Sequence, residues 1–150
     1  MADQATERAT IDAPPQKCFD VALDFERYPE WARDIKEASV VEYDDEGRGK
    51  RVAFRVAAMG RSAHYTLEYD YENAPRELSW KLVAGDIMRV LDGTYIFDPG
   101  DDGANPQTTD VTYHLMVELI VPLPGFVKRR AEGKIMGTAL DELKKRVESL

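Results

Sequence analysis

Apolar and polar residues alternate with period two through most of this chain, then switch to steps of three and four at its end. The clearest alternation sets Ala63, Tyr65, Leu67, Tyr69 and Tyr71 against Ser62, His64, Thr66, Glu68, Asp70 and Glu72, the mark of a strand with one buried face. Val52, Phe54 and Val56 precede it in the same code. Leu78, Trp80 and Leu82 follow, then Gly93, Tyr95 and Phe97, then Val111, Tyr113, Leu115, Val117 and Leu119. Thr6–Asp12 and Ile35–Tyr43 read as further strands. Turn residues cluster at Asp44–Gly47, Met59–Arg61, Asn73–Arg76 and Asp98–Thr108, where glycine, proline and short polar side chains favour reversal of the chain.

Helical spacing occurs in three places. Pro14 and Pro15 open a short helix, whose first turn does not need their missing donors; Asp12 is placed to cap or favour that start, and Cys18, Phe19, Ala22 and Leu23 form the stripe. Phe25–Asp34 is a second, shorter helical or turn segment, interrupted by Pro29 and anchored by Tyr28 and Trp31. After the breaks at Pro122 and Pro124-Gly125, the residues Phe126, Val127, Ala131, Ile135, Met136, Ala139, Leu140, Leu143 and Val147 mark one side of a helix running to Leu150. Gly133 and Gly137 inside it are expected either to leave room above a hollow or to let helix and sheet approach closely. The order is strand, helix pair, about six strands, long helix. Short connections pair consecutive strands antiparallel, so the fold class is α+β, with an antiparallel curved sheet of about seven strands. No repeat or linker divides residues 1–150, which predicts a single domain.

Charge narrows the function. The net charge is −8, which leaves no dense basic face for phosphates and predicts no nucleic-acid partner. The polar, acidic opening Met1–Glu7 lacks the apolar core of a secretory leader. No apolar run reaches the ~20 residues of a spanning helix, so no stable membrane insertion is expected. The one cysteine, Cys18, fits a reducing, cytoplasmic setting; on an apolar helix stripe it reads as a buried structural thiol.

Several short motifs come in an order that resembles the START-like (SRPBCC) polyketide cyclase/dehydrase and lipid-transport superfamily over nearly the whole chain. They are Ile11-Asp12-Ala13-Pro14-Pro15 with Phe19-Asp20-Val21-Ala22, then Asp24-Phe25-Glu26-Arg27-Tyr28-Pro29-Glu30-Trp31 with its Tyr-Pro-x-Trp core, then Gly93-Thr94-Tyr95-Ile96-Phe97, then Leu123-Pro124-Gly125. The resemblance implies a helix-grip fold, in which the antiparallel sheet wraps around the long C-terminal helix. It implies a cavity for a lipid, isoprenoid, quinone, hormone or polyketide, with catalysis in some members only.

By strand parity the inward set is Val52, Phe54, Val56, Tyr65, Leu67, Tyr69, Trp80, Leu82, Tyr95, Phe97, Tyr113 and Leu115, roofed by Met136 and Leu140. Four inward tyrosines are many for a dry core, because a buried hydroxyl needs a partner. Tyr65, Tyr69, Tyr95 and Tyr113 therefore suggest a cavity with a few polar points, the usual design of a small-molecule site. Trp31 is expected either at the mouth as a gate or as a plug pinning the second helical segment.

Other chemistry is sparse. His64 and His114 fall on the outward parity, and no His/Cys cluster offers the three or so ligands of a metal site. Gly47-x-Gly49 sits in a turn and opens no helix, so no metal or nucleotide cofactor is expected. Arg55 points away from Phe54 and Val56. The run Lys128-Arg129-Arg130 stands where the helix macrodipole disfavours cations; it reads either as attraction for an acidic carrier protein or membrane headgroups, or as a solvated end paired with acids such as Glu132. The leading reading is binding or transport of a small hydrophobic ligand. The alternatives left open are an aromatase/cyclase or dehydratase acting on a poly-ketone in the same hollow, and an interaction module with a filled core.

Overall fold

The computed structural model describes residues 3–58, 60–100, 106–120 and 123–150. Seven strands form one sheet: β1 (Asp3–Ile11), β2 (Ile35–Tyr43), β3 (Gly49–Ala58), β4 (Arg61–Asp70), β5 (Glu77–Gly85), β6 (Met88–Pro99) and β7 (Thr109–Leu119). Helix α1 (Pro15–Leu23) and a 3₁₀ segment (Phe25–Glu30) link β1 to β2, and α2 (Gly125–Ser149) closes the chain. The sheet order is β1-β7-β6-β5-β4-β3-β2, antiparallel at every pairing. This is the helix-grip arrangement, with α2 about 37 Å long at 1.5 Å per residue.

Register places the apolar parities of neighbouring strands on one face. Phe54 lies opposite Tyr65, Val52 opposite Leu67, Tyr69 opposite Trp80, and Tyr95 opposite Tyr113. Irregularities between Thr66 and Leu67 and between Met88 and Val90 add local bends, which curve the sheet toward α2. Gly93 lies opposite Trp80 and opposite Leu115. A Cβ there would stand 2.5 Å from Trp80 Cζ2 and 2.7 Å from the His114 carbonyl oxygen, so the missing side chain is what lets the indole lie against β6.

Four local expectations need correction. Asp12 does not cap α1: Pro14 is the N-cap and no side chain bonds there, while the Asp12 N–H donates to Glu148 Oε2 at 2.9 Å near the end of α2. Strand β1 begins at Asp3, earlier than its alternation suggests, because it pairs continuously with β7 from Asp3–Val117 to Ile11–Thr109. On α2 the buried positions are Glu132, Met136, Leu140, Leu143 and Val147, whereas Phe126 is 64% exposed. A Cβ on Gly133 or Gly137 would meet nothing within 4 Å; neither glycine makes room for anything. The turn expected at Met59 and the middle of the one expected over Asp98–Thr108 lie outside the described residues, as does Pro122.

Candidate functional site

Between the concave face of the sheet and α2 lies a cavity of about 250 Å³. Of the residues expected to line it, Trp31, Phe54, Val56, Tyr65, Leu67, Tyr69, Trp80, Tyr95, Tyr113 and Leu115 border it. Four do not. Leu82 pairs with Leu67 at the last regular position before the irregularity in β4–β5 pairing and is only partly buried. Phe97 turns toward α1, edge-on to Phe19 with ring centres 6.2 Å apart. Met136 and Leu140 belong to the buried side of α2, which meets β1 and β7.

The helix borders the cavity with a neighbouring stripe instead, Ala131, Ile135 and Ala139, flanked by Lys134, Thr138 and Glu142. Parity and helical spacing also miss Tyr28, Ala32, Asp34, Ile35, Ala57, Met88, Leu91 and Leu119. For Leu91 a signal is present, since it shares its parity with Gly93 and Tyr95. For Ala131, Ile135 and Ala139 a step-four stripe is visible, but the bulkier stripe beside it dominates the pattern.

The lining is an aromatic belt. Phe54 stacks on Tyr65 at 5.2 Å between ring centres, Trp80 lies 5.2 Å from Tyr95, and Tyr95 lies 4.9 Å from Tyr113. Tyr28 sits 4.8 Å from Trp31 and 6.0 Å from Phe54, and its hydroxyl donates to the Ala22 carbonyl. That bond anchors the 3₁₀ segment beside the cavity. Among the described residues, no hydrogen bond engages the hydroxyls of Tyr65, Tyr69, Tyr95 or Tyr113, and no fully buried side-chain polar atom lacks a partner. The side chains that carry these four hydroxyls all border the cavity.

Burial pushes the acidity of all four phenols down: the pKa of Tyr65 and of Tyr95 rises because of it, with the Glu142 charge adding to the effect on Tyr95. Tyr69 and Tyr113 are raised further, by burial first and by neighbouring phenols second. Near neutral pH these groups are uncharged O–H groups, able to donate a hydrogen bond and poorly suited to removing a proton.

The mouth is built where β2, β3 and α2 meet. The Ala57 N–H donates to the Asp34 carbonyl at 2.9 Å, and the Arg33 N–H donates to Glu142 Oε2 at 2.9 Å, tying the chain after the 3₁₀ segment to the helix. Trp31 stands half-buried beside this opening. The outward groups match their parity. His64 faces Asp86 at 3.5 Å, His114 Nδ1 meets Thr6 Oγ1 at 2.8 Å, and Arg55 pairs with Glu37 at 3.2 Å. Among the described residues no group of His, Cys, Asp and Glu could hold a metal ion, and no helix is long and apolar enough to cross a membrane. Cys18 is buried, and burial raises its thiol pKa.

Solved structures share the architecture. A START superfamily protein from Mycobacterium smegmatis superimposes with a TM-score of 0.85 at 23% identity, covering 97% of each chain. A protein from Thermus thermophilus gives 0.78 at 24% identity over 98% of each. The Zhui aromatase/cyclase from a Streptomyces species gives 0.76 at 13% identity, over 99% of this chain and 94% of its own. No curated protein sequence matches significantly. The family described as polyketide cyclase/dehydrase and lipid transport matches residues 2–148. The chain belongs to that family.

Proposed function

We propose that residues 1–150 act in the cytoplasm as a single START-like domain that encloses a small, largely apolar ligand bearing one or more oxygen atoms. One observation carries this reading: four tyrosines whose hydroxyls have no partner among the described residues border a cavity lined mainly by aromatic and aliphatic side chains. An apolar body would gain from burial at roughly 25 cal/mol per Å², and the phenols would select and orient its oxygens. At about 250 Å³ the hollow is slightly below the ~300–1,000 Å³ of typical ligand pockets, which favours a mono- or bicyclic molecule over a complete phospholipid.

A cyclase or dehydratase reading draws on the same hydroxyls, since neutral phenols can hold an enolate oxygen. Binding is the better supported of the two. The carboxylates lining the cavity, Asp34 and Glu142, stand at its mouth, and Glu142 already accepts the Arg33 N–H, which leaves no free carboxylate base inside among the described residues. The hollow itself counts against a filled-core interaction module.

The test is native mass spectrometry of protein purified from its own host, followed by displacement of an anilinonaphthalene dye by a panel of mono- and bicyclic phenols, quinones and poly-ketones. Binding that is lost in Leu67→Arg and in Tyr69→Trp supports the reading. Uptake unchanged by both substitutions sinks it, and turnover of a poly-ketone by the unmodified protein would move the assignment to the enzyme.

A further inference from the structure

The two halves of α2 treat their cations differently. In the C-terminal half, Lys144 pairs with Glu148 at 2.7 Å, Lys145 with Asp141 at 3.0 Å and Arg146 with Glu30 at 3.0 Å. In the N-terminal half, Arg129, Arg130 and Lys134 are exposed, and none makes an ion pair with a described residue. Lys128 is only half-exposed and its charge acts on Glu118 and Glu132. The single acid between Leu123 and Leu140 is Glu132, which is buried. The charge on the outer surface of this half-helix is therefore purely cationic in a chain of net charge −8.

Apolar side chains stand in the same region without cover. Phe126 is 64% exposed and Ile120, at the end of β7, is 49% exposed. At 100° per residue Phe126, Arg130, Gly133 and Gly137 share one side of the helix, and all four are exposed. Arg129 folds back along the first turn, with its Nη1 near Gly125. Neither helix propensity nor packing accounts for these choices: the macrodipole opposes cations at this end, and nothing among the described residues covers the phenylalanine.

From this combination we infer that the N-terminal half of α2 is a docking face for an anionic lipid bilayer surface. Arg129, Arg130 and Lys134 meet the headgroups, and Phe126 enters the boundary between headgroups and acyl chains. Basic side chains beside an exposed aromatic are what an interfacial helix needs, and attraction to anionic headgroups acts over about a Debye length. The acidic remainder of the chain turns the molecule so that this face leads. Lys134 stands on the edge between this face and the cavity-lining stripe and also borders the cavity, so an apolar ligand leaving the layer would pass its side chain to reach the hollow. That last step rests on the ligand reading above; the docking face does not.

Co-sedimentation of the full chain with vesicles tests it, using phosphatidylglycerol mixed with phosphatidylcholine against phosphatidylcholine alone. Expected are binding to the anionic vesicles only, its loss on raising salt, and a fall of roughly ten-fold or more in partition coefficient for the double variant Arg129→Glu, Arg130→Glu. Phe126→Ser should weaken binding at constant salt dependence. Absence of binding by the unmodified protein at low salt would overturn the inference, as would binding indifferent to the charge reversal. Capture of a purified acidic carrier protein, abolished by the reversal while vesicles are ignored, would give the face to a protein partner and equally overturn it. Dye uptake measured without vesicles on the same variants separates the two readings: docking can fail while uptake persists, and the reverse.

Discussion

Glu132 Oε2 accepts the backbone N–H of Leu119 at 2.9 Å, joining the first turns of α2 to the last residue of β7. The residue is 1% exposed, and its carboxyl meets the side chain of Asp3 on β1. One acid thus satisfies a buried N–H at the end of its strand and links both strands at that edge of the sheet to the helix. Burial first, and the Asp3 side chain second, raise its pKa.

A raised carboxyl pKa means that the folded state holds the proton more tightly than the unfolded chain. Stability from this group is then full below the unfolded pKa of about 4.3 and declines as pH rises toward the folded value. Glu132→Gln keeps an acceptor for Leu119 and gains donors for Asp3, so its melting temperature at neutral pH should exceed that of the unmodified protein, with a flatter profile as pH rises above ~4. Glu132→Leu should lower stability by about 1–3 kcal/mol, because the Leu119 N–H is left without a partner. Thermal melts across pH check both; equal profiles for Glu and Gln would show that burial and Asp3 do not raise the carboxyl's pKa.

Glycine is expected to have opposite effects in helix and sheet. Gly133 and Gly137 have open space where a Cβ would go, so Gly133→Ala and Gly137→Ala should each stabilise by about 0.5–1 kcal/mol through helix propensity alone. Gly93→Ala would drive a methyl into Trp80 and the His114 carbonyl, with an expected loss of about 1–3 kcal/mol from overpacking. Denaturant midpoints of the three variants give the comparison directly.

Filling the cavity separates stability from binding. Ala139 and Ala131 both border the hollow from α2, and larger apolar side chains there would occupy space that no protein atom uses. Ala139→Leu is expected to hold or raise the melting temperature while dye uptake falls by about ten-fold or more, since ~1.4 kcal/mol of lost binding is one decade. A variant that melts lower and still takes up dye would mean that the side chain points elsewhere.

Most of this fold is legible because one face of each strand is buried and the other wet. The run Ala63–Tyr71 alternates so strictly that sequence alone puts Tyr65, Leu67 and Tyr69 on the inside, and they border the cavity. Helix α2 resists for a physical reason. It carries two apolar stripes about 100° apart, Ala131-Ile135-Ala139 and Met136-Leu140-Leu143-Val147, and spacing cannot say which meets the sheet edge and which the hollow. Glu132 reads as a surface acid for the Lys128–Arg130 run, because charge normally predicts exposure; its partner, a backbone N–H on β7, leaves no sequence signal. Phe97 shares the parity of Tyr95, yet it packs against Phe19, since the inner face of a curved sheet serves α1 at one end and the cavity at the other.

The tyrosines offer the sharpest contrast within one residue type. Tyr28 donates to the Ala22 carbonyl, so Tyr28→Phe should destabilise by about 0.5–1.5 kcal/mol. Tyr65, Tyr69, Tyr95 and Tyr113 have no such partner among the described residues, and Tyr→Phe at any of them should leave the stability of the empty protein within about ±0.5 kcal/mol, the range of neutral substitutions. Affinity for an oxygen-bearing ligand should fall at whichever of these positions engages it, by about 1 kcal/mol per lost hydrogen bond, while a hydrocarbon of the same shape binds as before. All five phenols have raised pKa values, with burial as the largest cause. The folded state therefore favours their neutral form, and stability declines as pH rises past the unfolded value of about 10. Ultraviolet titration should accordingly show these phenolates emerging together with loss of the fold rather than before it. A phenolate signal from Tyr69 or Tyr113 in the folded protein near neutral pH would instead make that group a candidate base and revive the catalytic reading.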